Sequence, residues 1–195
     1  MNYKCLSINI VNNADAPVSE QYGFSKVSFE EYCKCFPDGA FDEPQIRKIY
    51  DEIRLPRRMT SKACGYDFFM PYTTTLQLND SIMIPTGIRC KLPPCIALLI
   101  YPRSGLGCKY GVQLANTVGV IDPDYYGAEN EGHIFIKLTA GGIVKPLALD
   151  YPLILYAGDR FCQGILTPFA TIPSYDAQFD ESMAQRTGGL GSTGE

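Results

Sequence analysis

Residues 118–127, VGVIDPDYYG, set an apolar strand-like run against two aspartates, two tyrosines and a glycine. Asp beside Pro is ordinary turn composition, because Pro presets φ and Asp hydrogen-bonds its own backbone. Two acids and two rings together are more than a turn requires. The second candidate is YPRSGLG, residues 101–107. Gly105 lets backbone N–H groups approach a phosphate, and Arg103 and Ser104 add directed donors. Alone, each stretch says little. R-S-G occurs in ordinary turns, and Asp122 would serve equally well as a turn-capping carboxylate.

The elements that must position these residues are mostly strands. From about residue 70, short apolar runs recur between Pro, Gly, Asn and Asp signals, as in SIMIPTGIRCKLPPCIALLIY, GVQLANTVGVI, HIFIKL and YPLILYAGDRFCQGILTPF. Short strands with frequent turns predict a mainly β sandwich or barrel of jelly-roll type. Nothing in that region keeps a helical period for long. Residues 1–55 differ. An edge strand is expected over residues 4–11. In SFEEYCKCF, Ser28 and Glu31 have the spacing of a capping box, and Phe29, Tyr32, Cys33 and Phe36 share one helix face. In DEPQIRKIYDEIRLP, Asp42 can cap, Pro44 sits in the first turn, and Ile46, Ile49, Tyr50 and Ile53 form a stripe ending before Pro56. The expected organisation is an extension over 1–55, a β core over 56–180 and a Gly-rich arm over 181–195. The plainer role for the extension is packing.

Composition sets bounds. The chain has 195 residues, 19% charged and 46% apolar, enough for a large core in one domain. Its net charge of −4 leaves no basic surface for nucleic acid, so a phosphate ligand needs local counter-charges. No run approaches the roughly 18 apolar residues of a membrane span. The N-terminal stretch lacks the basic start and apolar region of a secretory leader. The eight cysteines include no C-x-x-C, and His133 is the only histidine, so reduced thiols in the cytoplasm are expected rather than zinc.

Three further stretches stand with the first two: ACGYD (63–67), GDRFCQ (158–163) and RTGGLGSTG (186–194). With PRSGLG and LANTVGVIDPDYYG, in this order, they resemble the five motifs of the trimeric dUTPases, over roughly residues 54–195. The resemblance implies a jelly-roll β-barrel that hydrolyses dUTP to dUMP and pyrophosphate, with Asp122 as general base. Tyr125 would pack on deoxyribose, and Asn116 with the backbone of Gly119, Val120 and Ile121 would read the uracil edge. Arg103, Ser104, Gly105 and Gln163 would hold phosphates, and Asp67 would support the site through water and Arg160. Mg²⁺ would be bound by the triphosphate and water, with no direct protein ligand. The arm would close over the nucleotide through Arg186, Leu190, Gly191 and Ser192, and the assembly would be a homotrimer with sites shared between subunits.

This sequence departs from the family pattern in two places. Leu190 stands where a Phe usually stacks on uracil. Residues 128–132 lengthen the segment after the tyrosines, where Glu129 and Glu131 are most simply solvated charges. A dCTP deaminase shares the fold, but its reaction needs a Glu where this chain has Lys137. A regulatory protein of this fold is the other alternative, with the extension offering a surface to a protein partner.

Overall fold

The computed structural model describes residues 22–141 and 151–172. The expected edge strand at 4–11 and the Gly-rich arm lie outside them. Eleven strands and three α-helices are present among the described residues. The strands are β1 (Gly23–Lys26), β2 (Gly65–Phe69), β3 (Thr74–Leu76), β4 (Ser81–Pro85), β5 (Ile88–Lys91) and β6 (Ile96–Pro102). They continue as β7 (Gln113–Leu114), β8 (Gly119–Ile121), β9 (Phe135–Thr139), β10 (Leu153–Leu155) and β11 (Arg160–Pro168). All their pairings are antiparallel. One sheet has the order β2-β11-β6-β8, a second β4-β9-β7, and β1-β5 and β10-β3 form pairs.

The period-2 pattern decides which side chains go inward. In β9, Ile136 and Leu138 are buried while Lys137 between them is exposed. Along β6, Ile96, Leu98 and Ile100 are buried and meet Phe68, Leu76, Ile84 and Phe161 in one core. Each such side chain contributes roughly 1.5–3 kcal/mol on burial. This is the mainly β, jelly-roll architecture that the strand pattern predicts.

Two helices lie between β1 and β2. α1 (Phe29–Cys33) starts where the Ser28 hydroxyl accepts from the Glu31 N–H at 3.1 Å. It is a single turn, so Phe36 falls beyond it. The Glu31 side chain does not complete the expected box; it pairs with Lys34 at 2.8 Å. α2 (Glu43–Glu52) has a full capping box, with Asp42 accepting from the Gln45 N–H at 2.8 Å and Gln45 accepting in return at 2.9 Å. Phe29, Tyr32, Ile46 and Ile53 from this region join the same core as the strands. Gly87 marks the closest approach: its φ is +70°, and a Cβ there would lie 2.4 Å from Ile53 Cδ1.

A third helix, α3 (Ser104–Tyr110), was not expected from the pattern. Gly105 and Gly107 weaken helix propensity and mask it. Its stop is conventional: Gly111 takes φ +64°, and its N–H returns to the carbonyls of Gly107 and Leu106.

Candidate active site

Two groups of polar residues stand at different places on the four-stranded sheet. The first is built across β2, β11 and β6. Register places Asp67 opposite Gln163, and Gln163 opposite Tyr101, so the three lie in one row on one face. Arg160 Nη1 donates to Asp67 Oδ2 at 3.1 Å, and the Asp67 side chain is mostly buried. Gly65 leaves the room this row needs: a Cβ there would sit 2.6 Å from Gln163 Oε1.

At the same end, β6 runs into Arg103, which caps α3. The Arg103 N–H donates to the Phe161 carbonyl at 3.1 Å, tying the turn to β11. Ser104 and Gly105 form the exposed first turn of α3. The first N–H groups of a helix have no partner within it and point outward, as an anion requires. The structure therefore brings Asp67, Gln163, Arg160, Arg103, Ser104 and Gly105 together.

The second group surrounds a cavity of about 560 Å³, inside the range of small-molecule sites. Asn116, Gly119, Val120, Ile121 and Tyr125 line it, with Lys137 and Met83 on another wall. The strands on either side of residues 115–118 do not pair with each other. β7 pairs with β9, and β8 pairs with β6, so the chain crosses from one sheet to the other and the cavity opens between them. Thr117, at φ +68°, turns that corner. Gly119 is held close to β6, where a Cβ would meet Ile100 Cβ at 3.1 Å.

Asp122 stands at the N-cap position of the 3-10 segment Pro123–Gly127, without a capping bond from its side chain, next to the cavity-lining Ile121. Tyr125 is 5% exposed, and its hydroxyl donates to the His133 carbonyl at 2.7 Å while accepting from Asn130 Nδ2 at 2.8 Å. His133 is fully buried. Gly87 N–H donates to its Nε2 at 2.8 Å, which places the ring proton on Nδ1, 3.6 Å from Cys35 Sγ. Burial lowers its pKa to about 4. Glu131 is not a solvated loop charge. Its carboxylate accepts from the Ser28 N–H at 2.7 Å and the Ser28 hydroxyl at 2.6 Å, with Arg89 at 3.7 Å. Nothing in the spacing of the sequence signals these contacts across more than a hundred residues.

Within one chain Asp122 and Arg103 are held apart. Ile121 lies opposite Leu98, and Asp122 extends past it toward the start of β6; Arg103 follows its end. Arg186, Leu190, Gly191 and Ser192 lie outside the described residues. Every cysteine among the described residues is a free thiol, and no helix among them is long and apolar enough to cross a membrane.

The fold is an antiparallel β architecture of jelly-roll type, with a polar row at one end of a sheet and a cavity of about 560 Å³ at its edge. A family model described as dUTPase matches residues 51–194. The deoxyuridine 5'-triphosphate nucleotidohydrolase of Lactococcus lactis subsp. lactis is 34% identical over 143 residues, 73% of this chain and 89% of its own. That of Pseudomonas entomophila is 34% identical over 152 residues, 75% of this chain and 91% of its own. The crystal structure of dUTPase from Streptococcus mutans superposes with a TM-score of 0.56 at 30% identity, covering 77% of this chain and 98% of that one. The dUTPase from phage phi11 of S. aureus shares the fold, with a TM-score of 0.52 at 21% identity, covering 63% and 87%. The chain belongs to the dUTPase family.

Proposed function

We propose that the protein hydrolyses dUTP to dUMP and pyrophosphate as a cytoplasmic homotrimer. Uracil enters the 560 Å³ cavity, where Asn116 and the backbone of Gly119, Val120 and Ile121 offer donors and acceptors to its edge. Cytosine presents the reversed pattern at its position 4, and an unsatisfied buried pairing costs about 1–3 kcal/mol. Tyr125 packs on the deoxyribose and leaves no space for a 2′-hydroxyl. Arg103, Ser104, Gly105 and Gln163 hold the phosphates, with Asp67 oriented by Arg160. The arm, through Arg186, Leu190, Gly191 and Ser192, covers the bound nucleotide.

Asp122 accepts a proton from the water that attacks the α-phosphorus. The new bond joins the water oxygen to that phosphorus, and the bond to the α,β-bridging oxygen breaks as pyrophosphate leaves. A positioned base supplies roughly 10²–10⁴ in rate. Among the described residues there is no group of three or more His, Cys, Asp or Glu side chains placed to hold a metal ion. A Mg²⁺ would be held by triphosphate oxygens and water. Bound there, it would neutralise phosphoryl charge.

The single observation that supports this most is the placement of Asp122 and Arg103 at opposite ends of β6. A base and a phosphate clamp acting on one triphosphate must lie within hydrogen-bond reach of it, so one chain cannot supply both. A closed homotrimer can, with the cavity of one subunit facing the Arg103 turn of a neighbour. The test is pyrophosphate release from dUTP, dCTP, dTTP and UTP with magnesium supplied. Release from dUTP in strong preference to the others supports the assignment. Ammonia release from dCTP would instead favour deamination.

A further inference from the structure

We propose that Ser28 and Glu131 form a clamp that positions Tyr125, making the segment before the family-matched region a working part of the sugar pocket. Two parts of this chain are involved: the helical extension, and the segment at residues 128–132 after the tyrosines. The family match begins at residue 51, well after Ser28. In the fold these two segments touch. Glu131 spends both carboxylate oxygens on Ser28, taking its N–H and its hydroxyl.

The geometry on the far side of the clamp explains what it secures. Glu131 and Gly132 adopt φ of +57° and +72° in succession. A non-glycine residue in that region is held there by its surroundings, and for Glu131 those are Ser28, Arg89 and the Ala128 carbonyl, which accepts its N–H at 2.8 Å. The double left-handed turn presses Gly132 onto the backbone of the tyrosine: a Cβ at Gly132 would lie 2.6 Å from the Tyr125 carbonyl oxygen. The next residue, His133, supplies the carbonyl that accepts the Tyr125 hydroxyl at 2.7 Å. Its own ring is fixed between the Gly87 N–H and Cys35 of the extension. The Ser28 hydroxyl bond also holds the Glu131 carboxyl below the usual carboxylate range, so the clamp is ionised at neutral pH. Tyr125 is thus packed at its backbone against residue 132 and held at its hydroxyl by residue 133. Both residues are tethered to the extension.

The inference rests on Tyr125 being the side chain that excludes a 2′-hydroxyl. It is tested by measuring kcat and KM for dUTP and UTP with the full chain and its S28A, E131A, S28A/E131A, S28T and Y125A variants. S28A and E131A should each cut the preference for dUTP over UTP about fivefold, mostly through KM, the scale of one lost charge-assisted hydrogen bond. The kcat for dUTP should stay within about twofold, because neither residue touches the reacting atoms. The double variant should lose no more than the worse single, and S28T, which keeps the hydroxyl, should restore the preference. Should E131A prove insoluble, S28A and S28T carry the comparison. Unchanged preference in S28A and E131A, or losses that add in the double variant, would overturn the clamp. Y125A separates the two levels: if it keeps the wild-type preference, Tyr125 does not read the sugar. If it loses that preference while S28A and E131A keep it, only the clamp fails.

Discussion

Asp122 and Arg103 lie at opposite ends of β6, one extending from the neighbouring strand toward its start and the other following its end. About six residues of extended chain separate them along the strand, roughly 20 Å at ~3.3 Å per residue. The chemistry assigned to them happens at one phosphorus. That separation makes the oligomer part of the catalytic proposal, since the residues need a second copy of the chain to meet.

Removing the base without changing its shape isolates its role. Asp122→Asn should keep dUTP binding within a few-fold and lower kcat by at least about 10². Single-turnover rates and equilibrium binding of a non-hydrolysable dUTP analogue measure the two separately. Near-normal turnover would remove Asp122 from the mechanism.

The Gly65–Gln163 contact gives a second handle. In Gly65→Ala the new Cβ meets the end of a flexible side chain at 2.6 Å, so Gln163 moves while the sheet stays intact. Stability should change by less than about 1 kcal/mol. The kcat/KM for dUTP should fall about tenfold, from loss of a directed phosphate contact. A variant with normal kcat/KM would place Gln163 outside the phosphate site.

His133 makes the fold acid-labile. Its pKa of about 4 lies below the ordinary value of 6.5, so between those values the unfolded chain binds more protons than the folded one. Stability is therefore complete above about pH 6.5 and falls as pH drops toward 4, by about 2–3 kcal/mol for a fully buried ring. Thermal melts between pH 7 and 4.5 should show Tm falling, and His133→Gln should flatten the slope above pH 5, where Glu131 stays ionised. A wild-type Tm constant from pH 7 to 5 would contradict this.

Much of the barrel was legible in the sequence because burial imposes a period of two on strands, as in Ile136, Lys137 and Leu138. The Ser28 and Asp42 caps were legible because a cap is local. What failed was non-local or masked. Ser28 and Glu31 have box spacing, yet the carboxylate that takes the Ser28 N–H belongs to Glu131, brought in by the tertiary fold. The run GVQLANTVGVI splits between two sheets because strand partners are set by the whole core rather than by the turn. Helix α3 was hidden by its glycines. The candidate site residues could be picked out by motif, but the opposite placement of Asp122 and Arg103 along β6 could not, because spacing along the chain carries no register.

The most direct test is complementation between two inactive variants, Asp122→Asn and Arg103→Ala, mixed by co-refolding. Each homotrimer alone should be nearly inactive. In mixed trimers, a site that takes Asp122 from the Arg103→Ala subunit and Arg103 from the Asp122→Asn subunit is intact, so up to about a quarter of wild-type dUTP hydrolysis should return. If mixing restores no activity although mixed trimers form, Asp122 and Arg103 do not act across a subunit boundary, and the shared-site account is wrong.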